Sequence, residues 1–420
     1  METVAEKPVS LIRSQRRILC LCWMTYVVAY LLRMNFSVAV PLLKATEGYA
    51  NTEMGILNGL FFLTYTSGQL LNGLIGDHLR SKVLLITGLT LSAACNLGCA
   101  LSGSLPMLTV FWAVNGFAQS MLWGPIVRTL ALWYEPRVLD RVSFYMALST
   151  IAGYALSWAA ASVLGENFGW RSVFFMPSIP VLLFAVLLLL AFRSAPPSSL
   201  SRPELPAKKN AQGEAPPERT PLGRYLLYIR MPLLFLMAAA LGIVREGISA
   251  WLPTSLTDSG ILPDGSIWQM LLAIPLINLL GVLLVRQVMR RTNNDSGRTL
   301  LCIFPVFVGL ALILAVFGGV NAWGTIILTI LLLSVTYGSS PIFTSLIPFQ
   351  LASHGRVSLT AGLLDFSIYC GAALSSAVSG ALLDRYSWSF VYIFWLAAAV
   401  VGLLAMLFWV SMHKKGRRSE

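Results

Sequence analysis

Arg33 lies deep inside the first long apolar segment, residues 18–43, and Arg245 lies at the matching point of another, residues 231–256. Each is followed eight residues later by a proline, Pro41 and Pro253. An arginine at bilayer depth costs roughly 2.5–3.5 kcal/mol even on the mild insertion scales. Two such residues, one in each half of the chain, need a reason. Guanidinium is always charged and offers a planar fork suited to phosphate or carboxylate. The chemistry that fits is the grip of one anion between two forks. The alternative is a pair of structural arginines tied to Glu246 or Asp365, the two acids placed well inside apolar segments.

Other polar residues gather around the first arginine. Tyr26, Tyr30, Arg33 and Ser37 fall on one helical face, and Asn58, Tyr65, Gln69 and Asn72 on one face of the next apolar segment. Polar groups collected on one face look into a cavity or a helix contact rather than into lipid. Arg128 sits nearer the end of its segment and is read either as a third anion contact or as a partner in helix–helix locking. No His/Cys/Asp cluster or nucleophile–base spacing is present, so neither catalysis nor a metal or other cofactor is expected. The six cysteines all fall in apolar runs and read as small packing residues.

The elements that position these residues follow from composition. The 420-residue chain is 56% hydrophobic and 11% charged, with a mean hydropathy of +0.73, against about 25% charged residues in ordinary soluble domains. Apolar runs near the length that crosses a hydrocarbon core recur twelve times: 18–43, 54–76, 83–103, 106–134, 143–165, 172–193, 231–256, 267–288, 299–318, 323–346, 359–383 and 389–411. Runs of this length in lipid mean helices, because every backbone group must be satisfied internally. The expected fold is an all-α membrane protein of twelve transmembrane helices in two pseudo-symmetric six-helix bundles.

The net charge of +12 belongs to orientation. Of 30 Lys and Arg, 24 fall in one set of alternate loops and the two ends. Three lie in the opposite loops (Lys44, Arg171, Arg385) and three inside spans (Arg33, Arg128, Arg245). That asymmetry puts both termini in the cytoplasm, in a plasma or bacterial inner membrane, and argues against a nucleic-acid partner. The basic start and first apolar run read as a retained span, since the run is too long for a signal peptide and lacks a small-residue cleavage site.

Residues 194–224 contain seven prolines and mixed charges, and read as a loose cytoplasmic linker. The domain reading is a first bundle over 1–193, a linker over 194–230 and a second bundle over 231–420. The halves look like copies: Arg33 to Pro41 matches Arg245 to Pro253, Phe168-Gly169-Trp170-Arg171-Ser172 matches Tyr386-Ser387-Trp388-Ser389, and Gly153 pairs with Gly371. In such 6+6 repeats a ligand sits between the halves near the midplane.

Gly73, followed by Asp77, Arg80 and Lys82, resembles the loop signature of the major facilitator superfamily between spans two and three, and implies a conformational latch. Tyr30-Leu-Leu-Arg33-Met-Asn35 through Pro41 resembles helix one of the organophosphate:phosphate antiporters and their organic-anion symporter relatives. Trp123-Gly-Pro125-Ile-Val-Arg128-Thr129 resembles their helix four, and Phe168-Gly-Trp170-Arg171 their entry to helix six. Arg245-Glu-Gly247-Ile-Ser-Ala-Trp251-Leu-Pro253-Thr254 is similar to helix seven of the antiporters. The resemblance implies that Arg33 and Arg245 hold a substrate phosphate from opposite halves, with Tyr26, Tyr30, Arg128, Ser149 and Trp251 as further candidate contacts.

Two departures bear on the substrate. Met34 stands where the antiporters usually carry lysine, and Ser149 where they carry a histidine in helix five, which favours a monoanion or carboxylate over a doubly charged phosphate monoester. The expected function is secondary active transport of a small organic anion by alternating access. Coupling is to phosphate exchange or to protons, through Asp365 and Glu246, and the chain is expected to act as a monomer. The alternative is a transporter-like membrane sensor for such an anion.

Overall fold

The computed structural model describes residues 9–76, 79–195, 222–261, 267–350 and 357–416, all in helices and short connections. In the first half these are α1 (Val9–Leu31), α2 (Asn35–Glu47), α3 (Asn51–Gly76), α4 (Ser81–Ala100), α5 (Leu105–Ser120), α6 (Trp123–Trp133), α7 (Pro136–Phe168) and α8 (Trp170–Ala191). The second half holds α9 (Leu222–Tyr228), α10 (Met231–Ser259), α11 (Ile267–Arg291), α12 (Ser296–Phe317), α13 (Ala322–Pro341), a π-helical turn (Ile342–Leu346), α14 (Ile347–Gln350), α15 (Val357–Arg385) and α16 (Trp388–Gly416).

Ten helical stretches among the described residues are long and apolar enough to cross a membrane. The other two expected spans differ for physical reasons. The span at 54–76 is α3, long enough but diluted by Asn58, Thr64, Thr66, Gln69 and Asn72. The span at 106–134 is broken into α5 and α6 around Met121 and Leu122, so neither piece crosses alone.

Span one is also broken, at Leu32-Arg33-Met34 between α1 and α2. Pro41 was the visible helix-breaker, yet it sits inside α2, and the break falls a turn and more before it. Linker order also begins earlier than expected: α9 lies within 194–230, with Tyr225 and Ile229 buried, the Tyr225 hydroxyl against Thr360 and the Trp409 indole donating to the Ile229 carbonyl. The spacing Leu222, Tyr225, Leu226, Ile229 is a short apolar stripe that the proline-rich composition beside it obscured.

The halves meet through α3 against α15, α7 against α11 and α2 against α10. Gly153 and Gly371 each stand at a close helix contact within their own half. A Cβ on Gly153 would lie 2.8 Å from the Tyr30 Cβ of span one, and one on Gly371 would lie 2.2 Å from the Ala239 carbonyl oxygen of span seven. Both glycines let the arginine-bearing helix of their own half approach closely.

At the end of the bundle opposite the N-terminus, Asp384 of α15 caps the start of α3. Its carboxylate accepts from the Asn51 backbone N–H at 2.9 Å, the Asn51 side chain at 2.8 Å and the Thr52 N–H at 2.6 Å. This satisfies donors that every helix start leaves free, and it does so from the other half of the chain. Deeper in the same seam, Asn58 donates to Ser376 at 3.1 Å.

Candidate functional site

The break in span one sets the site. Leu32 and Arg33 donate to carbonyls only three residues back, and Met34 to the fourth, before α2 restarts at Asn35. Backbone groups released at such depth have no water to turn to and must find protein partners. They find amides. The Leu32 carbonyl accepts from Asn115 at 2.8 Å and Asn96 at 3.3 Å, and the Ala29 carbonyl accepts from Gln119 at 3.0 Å. Asn35 donates to Asn96 at 2.8 Å, and Ser92 bridges Asn115 and Gln119 at 2.6 and 2.8 Å. This buried network from α4 and α5 fixes the kink that presents Arg33. Asn115→Ala is therefore expected to cost about 1–3 kcal/mol, the usual penalty for orphaning a buried polar group. It would be read as a lower Tm together with weaker Arg33-dependent ligand binding.

Arg33 is 5% exposed and enclosed by aromatic rings. Its guanidinium carbon stands 4.5 Å from the Tyr65 ring centroid, 5.4 Å from Tyr369, 5.6 Å from Tyr30 and 5.8 Å from Phe61. Nη2 donates to the Tyr369 hydroxyl at 3.2 Å, so α15 of the second half holds the arginine of the first. Ring faces favour a cation but do not neutralise it. Among the described residues no carboxylate lies within 4.0 Å of this guanidinium, and its Nε has no hydrogen-bond partner.

Arg245 is treated differently. Its Nε donates to Oε1 of the adjacent Glu246 at 2.8 Å, Nη2 lies 2.8 Å from the same oxygen as an ion pair, and Nη1 donates to Ser340 at 2.6 Å. Tyr337 lies beside it, 5.6 Å away. The second oxygen of Glu246 has no partner. Beside Arg33 and Glu246 lies a cavity of about 20 Å³, lined also by Ser37, Asn58, Phe61 and Ser249 among others. That volume holds about one water, so a metabolite enters only when the halves separate.

The other expected residues divide. Tyr30 belongs to the cage, and Tyr26 packs on Tyr30 (5.2 Å between centroids) and Trp123 (4.8 Å), one layer behind it. Asp365 of α15 faces Gln69 and lies in the field of Arg245, Arg33 and Glu246. Ser149 is fully buried and donates to the Met146 carbonyl of its own helix. Trp251 lies away from the arginines, beside Ile248, Leu252, Thr329, Trp388 and Trp395 inside the second half. Arg128 is exposed and donates to the Leu79 carbonyl at 3.2 Å, which puts it against the loop of the expected latch. In that latch, Gly73 lies in α3, Arg80 precedes α4 and Lys82 lies in its first turn, its backbone N–H donating to Ser194. Asp77 lies outside the described residues.

Several site residues carried little sequence signal. Phe61, Tyr154, Tyr337 and Ser340 sit in apolar or mixed runs. Tyr154 stacks edge-on to Tyr337 at 5.7 Å and tilts on Tyr30 at 5.0 Å, linking the two arginine environments. A tyrosine beside the repeat glycine Gly153 and a tyrosine one turn after Asp365 were the available hints.

Ten apolar helical stretches among the described residues, and a charged centre buried where the two halves of the chain meet, define a polytopic membrane protein. The sequence matches the Major Facilitator Superfamily over residues 22–358, and the chain belongs to that superfamily. It is 27% identical to the Glycerol-3-phosphate transporter of Bacillus subtilis (strain 168), across 94% of this chain and 91% of that one. It is 26% identical to the Membrane sensor protein UhpC of Escherichia coli (strain K12), across 43% of this chain and 42% of that one. Among solved structures, the nucleoside transporter NupG shares the fold at a TM-score of 0.66 and 15% identity, over 94% of this chain and 99% of that one.

Proposed function

We propose that the protein is a secondary active transporter of a small organic anion, a phosphorylated metabolite or a sugar acid, working by alternating access. One observation carries this: Arg33 is buried between the halves with its charge uncompensated by any described carboxylate, at the centre of a fold whose halves can close on a ligand. Supporting it is the full-length similarity to a transporter of glycerol 3-phosphate. Coupling runs through exchange for inorganic phosphate or co-transport of protons, with Asp365 and Glu246 as the carboxylates at hand. The chain acts as a monomer in the cytoplasmic (bacterial inner) membrane and makes no chemical change to its substrate.

The test is a thermal-shift screen of the purified protein against glycerol phosphates, sugar phosphates, sugar acids and inorganic phosphate, since a ligand that binds the folded state raises its apparent stability. At least one anion is expected to raise Tm in the wild type and not in Arg33→Lys. A sensor is the second reading, favoured by the partial match to UhpC. It binds without moving its ligand.

The orientation has its own test. With both termini in the cytoplasm, cysteines introduced at Ser259 or Asn321 label from outside the cell and a cysteine at Gly213 does not. The reverse pattern would invert the topology drawn from the Lys/Arg distribution.

A further inference from the structure

Among the described residues, the two buried groups left without partners on the wall of this cavity are of opposite kinds. One is a donor, Arg33 Nε, and the other an acceptor, Glu246 Oε2. Both residues line the same cavity, and Glu246 is 3% exposed. The acceptor is orphaned by an unusual pairing. A guanidinium fork ordinarily engages both carboxylate oxygens, but here Nε and Nη2 of Arg245 converge on Oε1 alone. Glu246 lines the cavity together with Arg33, and Arg245 does not. A fully ionised anion without hydroxyl groups, seated on Arg33, would bring that free oxygen no hydrogen to accept. The second arginine donates its hydrogen bond to Oε1 and leaves Oε2 without one.

We infer that the substrate is a zwitterion, with an acid group held by Arg33 and an ammonium group received by the free oxygen of Glu246. This rests on the reading of Arg33 as the anion site and extends it by naming the second polar group of the ligand. An ammonium supplies the missing hydrogen-bond donor, so both orphaned atoms are satisfied by one molecule. Asn58 and Ser37 on the same wall leave room for further hydrogen bonds, and the aromatic rings around Arg33 provide the low-dielectric surroundings in which such pairs strengthen.

The experiment uses isosteric pairs that differ by ammonium against methyl: phosphoethanolamine with propyl phosphate, and taurine with 1-propanesulfonate. Binding to the purified full-length protein is measured by calorimetry. In at least one pair the amine-bearing member is expected to bind at least tenfold more tightly, about 1.4 kcal/mol, and Glu246→Gln is expected to erase that preference. The wild-type comparison stands on its own if the variant folds poorly. Arg33-dependent binding of the amine-free members without any preference for amine would overturn the zwitterion and leave the anion site intact. Failure of all four to bind in an Arg33-dependent way would overturn both. Uptake of one proton with propyl phosphate, abolished in Glu246→Gln, would make Glu246 a proton carrier and also overturn the inference.

Discussion

Arg33→Lys is expected to insert and fold like the wild type while losing transport at least tenfold. Lysine keeps the positive charge, and its ammonium suits the cage of Tyr30, Phe61, Tyr65 and Tyr369, so packing changes little. What is lost is the fork. A charge-assisted hydrogen bond to a buried anion is worth about 1.5–3 kcal/mol, and losing one of the two from a bidentate grip lowers uptake by one to two orders of magnitude.

Arg245→Lys is expected to behave differently. Its guanidinium makes two hydrogen bonds, to Glu246 and Ser340, and a second close contact with Glu246 that one ammonium cannot reproduce from the same position. Disturbing a buried pair leaves a charge without its partner, a loss of up to about 3–5 kcal/mol when the partner is removed outright. The variant should therefore show reduced uptake together with a reduced Tm. Uptake by Arg33→Lys equal to wild type would contradict the assignment of this residue to the ligand. A reduced Tm with intact uptake for Arg245→Lys would make Arg245 structural.

Asp365→Asn is the second large effect. Asp365 faces Gln69 of α3 across the seam between the halves and lies in the field of Arg245, Arg33 and Glu246. Among the described residues it makes no ion pair with either arginine within 4.0 Å. A carboxylate placed so can exchange a proton as the anion comes and goes, whereas asparagine keeps the hydrogen bonding and loses the charge change. The expected result is loss of proton-driven accumulation with exchange of internal for external substrate preserved. Unchanged accumulation across a pH gradient would leave Asp365 a partner of Gln69 and nothing more.

The membrane fold was legible because lipid constrains the chain so strongly: long apolar runs and the placement of Lys and Arg leave few alternatives. The paired arginines were legible for the same reason, since a charge at that depth stands out. Their inequality was only half visible. Glu246 follows Arg245 directly, yet sequence adjacency does not say whether the pair forms or which oxygen it uses. The break at Leu32–Met34 was hidden because nothing in that stretch breaks a helix by itself. It is held by Asn96, Asn115 and Gln119, which are distant in sequence and read singly as ordinary polar residues in spans. The aromatic cage was hidden for a related reason: Phe61 and Tyr369 come to Arg33 from two other helices and two halves of the chain. Trp251 carried the strongest motif context of the second half and turns into that half's own packing. Motif membership located the helix and left the direction of its side chain open.

On this reading an anion crosses the membrane by way of Arg33. The most direct test is counterflow in proteoliposomes with labelled glycerol 3-phosphate, glucose 6-phosphate, phosphoethanolamine and inorganic phosphate, wild type beside Arg33→Lys. At least one of these is expected to accumulate against an unlabelled internal load in the wild type and to fail to do so in the variant. Binding of any of them in an Arg33-dependent way, with no movement of that ligand across the bilayer, would contradict transport and leave a receptor in its place.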